Sequence, residues 1–116
     1  MSVNEIEDLT DYYNLFSTTV SQNNNNQKLT IIKFFATWCG PCRMTKRKFE
    51  KMAADLSNYV NFYEVDIDKF PEIAQDQNIR TMPTFKIWNK LQLIDTVVGA
   101  NLNRVAEVVQ MVVNNS

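Results

Sequence analysis

The chain reads as an α/β sandwich in which a parallel strand–helix–strand unit is followed by an antiparallel hairpin and a last helix. Three observations predict it. Leu29 to Ala36 is a nearly continuous apolar, β-rich run, the pattern of a strand covered on both faces. Apolar side chains recur at helical spacing directly after that run and again near the C-terminus. Between these segments, Thr84 to Trp88 and Leu93 to Val98 flank a polar Asn89-Lys90 turn, as the arms of a hairpin do.

Taken in order, Val3 to Ile6 is a short candidate edge strand, and Leu9, Tyr12, Leu15, Phe16 and Val20 trace one face of a first helix. The polar run Ser21 to Gln27 ends that helix as a solvated loop. The buried run that follows contains one residue that breaks its pattern, Lys33, and leads straight into Trp38 and two cysteines. Thr45, Phe49, Met52, Ala53 and Leu56 then form a helical face, with the basic residues between Arg43 and Lys51 on its solvated side. Tyr59 to Val65 is a second buried strand, and Pro71 suits the first turn of a short helix running towards Asn78. Leu91 is a poor residue for the hairpin turn. Asn101 is placed to cap a last helix carried by Leu102, Val105, Ala106, Val109, Val112 and Val113.

A length of 116 residues fits one domain, 1–116, with enough chain to build a core without staples. A formal charge of -1 offers no basic field for nucleic acid, and no apolar run approaches the ~20 residues that span a bilayer. Neither partner class is expected. The segment Met1 to Asp8 has neither the basic and apolar regions of a signal peptide nor the character of a transit peptide, so a cytoplasmic, reducing compartment is the default. Histidine is absent, which removes Ser-His-Asp and Cys-His hydrolases and mixed Cys/His zinc sites.

The remaining nucleophile chemistry centres on Cys39 and Cys42, which lie at a strand-to-helix turn. The first turn of a helix directs free backbone N–H groups and the positive end of the dipole at a sulfur, and so favours the thiolate that disulfide exchange requires. Pro41 is tolerated there because its missing N–H has no intrahelical partner, and Gly40 lets another backbone come close. Cys39, nearer the exposed end, is expected to attack a substrate disulfide, and Cys42 to resolve the mixed disulfide that results. The bland alternative is a pair of inert, small apolar residues. It is opposed by context, since one of only two glycines in the chain separates the cysteines, with Trp38 before them and Pro41 between. Met82-Pro83 precedes a strand, where a cis peptide would turn the Met82 backbone towards an extended substrate.

Together, Trp38-Cys39-Gly40-Pro41-Cys42, Met82-Pro83-Thr84-Phe85 and Val98-Gly99-Ala100-Asn101 resemble the thioredoxin family over nearly the whole chain. The resemblance implies the thioredoxin fold, a central five-stranded mixed sheet flanked by four helices, with a cis Pro83 facing the cysteines. It also implies a monomer that binds no cofactor and reduces protein disulfides, taking electrons from NADPH through a thioredoxin reductase. Peroxiredoxins, methionine sulfoxide reductases and ribonucleotide reductase are the implied clients. Trp38, Met82, Pro83, Val98, Gly99 and Ala100 are the implied substrate groove.

Three departures from the family pattern stand out. The usual buried Asp, six positions before the nucleophile, aligns with Lys33, so the group credited with deprotonating the resolving cysteine is missing. Arg47 replaces a helix-kinking proline, and Leu91 replaces the hairpin glycine. Lys33 is expected either to be buried beside the site with Glu64, on the neighbouring strand, as its partner, or to reach solvent over an apolar stem. A protonated Lys33 would favour a nearby thiolate but cannot accept the Cys42 proton, a task open to a neutral amine or to Glu64 through water. Two other functions remain: an interaction or holdase module with weak turnover, and an iron–sulfur-bridged dimer using Cys39 and Cys42 of each chain.

Overall fold

A computed structural model describes residues 3–17 and 29–115. Val20 and the polar run Ser21 to Gln27 lie outside the described residues. In chain order the elements are β1 (Val3–Glu5), α1 (Leu9–Asn14), β2 (Leu29–Phe35), α2 (Gly40–Asp55), β3 (Val60–Asp66), α3 (Pro71–Asp76), β4 (Thr84–Asn89), β5 (Gln92–Val98) and α4 (Leu102–Asn114). The five strands form one sheet in the order β1-β3-β2-β4-β5, with β1, β3 and β2 parallel and β4 and β5 antiparallel to their neighbours. This is the thioredoxin fold expected from the sequence.

Central position explains the unbroken apolar run of β2. It lies between β3 and β4, and its successive side chains serve two cores. Leu29 and Ile31 join Phe62, Phe85 and the α2 and α4 side chains Phe49, Ala53 and Val105 on one face. Ile32 and Phe34 join Tyr12 of α1, Ile73 of α3 and Trp88 on the other. By the same alternation, Lys33 faces α2, the side of Leu29 and Ile31.

Local chemistry sets the helix ends. The Asp8 carboxylate accepts the Asp11 N–H at 2.8 Å and starts α1, which passes into a turn after Asn14, so it is shorter than its apolar spacing suggested. Pro71 opens α3, and Asn78, with φ of 56°, takes the left-handed conformation just beyond its end. Asn101 caps α4 by accepting the Arg104 N–H at 3.1 Å. In the hairpin, Asn89 pairs with Gln92, so the turn residues are Lys90 and Leu91, one position later than the polar pair suggested. Lys90, not Leu91, carries the positive φ, which leaves Leu91 without backbone strain to relieve.

Phe49 anchors α2 to the sheet, with its ring 5.3 Å from that of Phe62 and 5.4 Å from that of Phe85. Truncation to Phe49→Ala removes these contacts from a fully enclosed position and is expected to lower the unfolding free energy by about 3–5 kcal/mol. Urea denaturation reads this directly, and a loss below ~1 kcal/mol, the scale of surface changes, would contradict the packing described.

Candidate active site

The end of β2 delivers the chain to Cys39, whose N–H donates to the Ala36 carbonyl at 3.1 Å. Cys39 is the N-cap of α2, with extended backbone, and Pro41 occupies the first turn. The Cys39 Sγ accepts the Cys42 N–H at 3.2 Å, so a backbone donor and the dipole end act on one sulfur. Cys39 and Cys42 form a disulfide, their Cα atoms 5.3 Å apart. Both are buried, Cys39 at 4% exposure and Cys42 at 2%, against the expectation that Cys39 is the exposed one. The reason is local. Sγ of Cys39 is bonded inward to Cys42, and Phe35, Ile67 and Met82 pack around the pair and Ala36. Gly40 relieves no clash within the chain, because a Cβ there would meet nothing within 4 Å.

Of the residues expected to form a groove, Met82 packs against this pair. Trp38 stands 65% exposed, and its indole Nε1–H donates to an Asp68 carboxylate oxygen at 2.7 Å. Asp68 is held in turn by its own N–H, which donates to Asp66 Oδ1 at 2.9 Å. The Met82-Pro83 peptide is cis, as expected. The Pro83 carbonyl accepts the Gly99 N–H at 2.7 Å, which ties the end of β5 to the cis peptide. Gly99 has φ of 92°, a conformation that requires glycine. Val98 and Ala100 are exposed beside it, Met82 is half-buried and Pro83 is buried. Nothing in the local sequence pattern marks Asp68; only the fold brings it under Trp38.

Lys33 is buried at 3% exposure, and its ammonium donates to the Cys42 carbonyl at 3.1 Å. The same carbonyl accepts the Thr45 hydroxyl at 2.8 Å. The Lys33 Nζ also lies 5.6 Å from the centre of the Phe49 ring and 5.8 Å from that of Phe35. Glu64 is its in-register neighbour on β3, yet the two side chains make no direct ion pair. Lys33 reaches over to the first turn of α2 instead. Burial lowers the Lys33 pKa, opposed by the charges of Glu64 and Glu50 and assisted by that of Lys46. Burial likewise raises the Glu64 pKa, with Glu5 and Glu50 adding to the rise and Lys33 and Lys46 opposing it. Both residues line a cleft of about 440 Å³ shared with Cys42, Glu5, Asp66 and Lys46. Among the described residues no cluster of histidine, cysteine or carboxylate side chains is arranged to hold a metal ion.

The family model described as Thioredoxin matches residues 8–112. The chain is 47% identical to a thioredoxin of Malassezia sympodialis over 81 residues, which is 69% of this chain and 77% of that one. It superposes on a thioredoxin of Nicotiana alata with a TM-score of 0.85 and 27% identity, covering 95% of this chain and 91% of that one. A further neighbour, at 29% identity and a TM-score of 0.79 with 94% of each chain covered, comes from work on thiol resolution in a yeast mitochondrial 1-Cys peroxiredoxin via glutathione and thioredoxin systems.

The bond from Trp38 to Asp68 fixes an exposed ring next in the chain to Cys39, the ring expected from the sequence to meet a protein substrate. Asp68→Ala is expected to raise KM for a protein disulfide about fivefold, matching the ~1 kcal/mol of one such hydrogen bond. The rate with a small aromatic disulfide is expected to stay the same. Equal losses with both substrates would show that Asp68 supports the disulfide itself, not the groove.

Proposed function

Because the chain belongs to the thioredoxin family and is a thiol–disulfide oxidoreductase, we propose that it reduces disulfides of client proteins, with Cys39 attacking and Cys42 resolving. The observation that carries this reading is the Cys39 sulfur at the N-cap of α2, accepting the Cys42 N–H and within bonding reach of the second cysteine. In the dithiol form, the Cys39 thiolate attacks one client sulfur and the other client sulfur leaves as a thiolate. Cys42 then attacks Cys39, forms the Cys39–Cys42 disulfide and expels the second client sulfur. The client gains two electrons and the protein loses two.

A thioredoxin reductase supplied by NADPH would return those electrons, and the protein itself needs no resident cofactor for exchange. Trp38, Met82, Pro83, Val98, Gly99 and Ala100 are the surface against which an extended client segment would lie, with the free backbone beside the cis Pro83 as its pairing edge. Peroxiredoxins, methionine sulfoxide reductases and ribonucleotide reductase form disulfides in turnover and are fitting clients; the relationship to a chain from the yeast peroxiredoxin work supports the first. A reducing cytoplasm suits a dithiol that must be kept reduced. One domain acting as a monomer leaves the groove open to such clients.

The test couples insulin-disulfide reduction to NADPH and a thioredoxin reductase. Steady NADPH oxidation is expected with the native chain and none with Cys39→Ser, whereas Cys42→Ser is expected to stop turnover and accumulate clients bound through Cys39. No oxidation by the native chain would favour the interaction-module alternative. Client capture by Cys39→Ser alone would reverse the two cysteine roles.

A further inference from the structure

The resolving step has a requirement that the cysteines themselves do not meet. Only the thiolate of Cys42 attacks, and Cys42 is buried, so its proton must go to a nearby group. Cys39 cannot take it, since its sulfur is held in the mixed disulfide. No histidine is present. A cleft that Cys42 lines contains Glu5, Lys33, Arg43, Lys46, Glu64, Asp66 and Lys69 as its titratable groups.

Geometry separates these groups. Lys33 is occupied as a donor: its Nζ donates to the Cys42 carbonyl and sits near two aromatic rings. Glu5 is paired with Lys69 at 3.3 Å. Asp66 accepts the Asp68 N–H and thereby supports the turn that holds Trp38. Arg43 and Lys46 are exposed cations. Glu64 differs from all of them, for it is half-buried and no side-chain or backbone donor among the described residues bonds to its carboxylate. It stands in register with both Glu5 and Lys33, in a polar row across the sheet beneath the first turn of α2.

We propose that Glu64 accepts the Cys42 proton through water in this cleft, while the Lys33 ammonium holds the Cys42 carbonyl and stabilises the thiolate as it forms. The inference rests on the exchange function above and deepens it. The cleft, at about 440 Å³, has room for several waters. In the step, the Cys42 S–H proton passes to the Glu64 carboxylate, and the Cys42 sulfur bonds to Cys39. The bond from Cys39 to the client sulfur breaks, and the client leaves as a thiolate with the electron pair. Glu64 then returns its proton to solvent. A carboxylate made more basic by burial suits this task, because its proton affinity moves towards that of a thiol. Lys33, by contrast, is a positioning residue that acts through Cys42 and Glu64. The groups facing Glu64 are Lys33 of β2, Glu5 of β1, Lys46 and Glu50 of α2, and Asp66 of its own strand.

The experiment follows release of thionitrobenzoate from its mixed disulfide with Cys39, by stopped-flow absorbance across pH. The native rate is expected to show a limb set by a carboxylate below the limb set by the thiol. Glu64→Gln is expected to remove the carboxylate limb and slow release about tenfold or more near neutral pH, while Glu64→Asp restores part of both. Lys33→Met is expected to move the limb to higher pH, since Glu64 loses the cation that lowers its pKa. Asp66→Asn is expected to leave the limb in place. An unchanged profile in folded Glu64→Gln, or loss of the limb in Asp66→Asn instead, would overturn the assignment to Glu64. Should Glu64→Gln fail to fold, a Glu64→Asp profile identical to the native one would overturn it equally. Native protein that never releases the probe would instead contradict the exchange function.

Discussion

A sulfur at the start of a helix is the contact around which this molecule is organised. Without histidine, the chain has no imidazole to draw a proton from Cys39, and the first turn of α2 takes that role through the Cys42 N–H and the helix dipole. That turn is useful only if it is held still. β2 holds it from one side, buried between β3 and β4 with side chains committed to both cores. Phe49 holds the other end by packing α2 on Phe62 and Phe85. The reactive turn is thus a junction between two elements that cannot move without opening the main core.

The face of the sheet beneath α2 changes character along its length. It is apolar at Leu29, Ile31, Val60 and Phe62, and then carries Glu5, Glu64 and Lys33 in register at the end nearest the cysteines. Buried charges of this kind are poor sources of stability. Their linkage to pH has opposite signs. The folded chain binds the Lys33 proton less tightly than the unfolded chain, so stability from this group is recovered as pH rises towards 10.5. It binds the Glu64 proton more tightly, so stability from that group is lost as pH rises above 4.5. Between those limits both groups cost the fold stability, which is a reason to look for their use in chemistry.

How much of this could be read from the sequence depended on the range of the interaction. The Cys39–Cys42 pair, its helix start, the Asn101 cap and the apolar face of α2 are set by spacing within a few residues, and each was legible. The Pro83 cis bond was legible through resemblance, whereas the contact from Gly99 to Pro83 joins segments with no shared local pattern. Long-range contacts were not legible. Asp68 under Trp38 and the reach of Lys33 to the Cys42 carbonyl depend on where the chain folds back, not on neighbouring residues. The burial of Cys39 differed from expectation because exposure was inferred from its place at a turn, whereas the disulfide and Met82 turn its sulfur inward. The shift of the hairpin turn to Lys90-Leu91 shows a polar dipeptide outweighed by strand register.

The central claim is that the end of α2 makes Cys39, not Cys42, the nucleophile. It is tested most directly by timed iodoacetamide labelling of the fully reduced protein at neutral pH, with the modified cysteine identified by peptide mass spectrometry. Thiolate character governs this reaction, so Cys39 is predicted to be modified well before Cys42 and to keep reacting as pH falls below the ordinary thiol range of about 8.5. Equal labelling of the two residues, or modification of Cys42 first, would contradict the account.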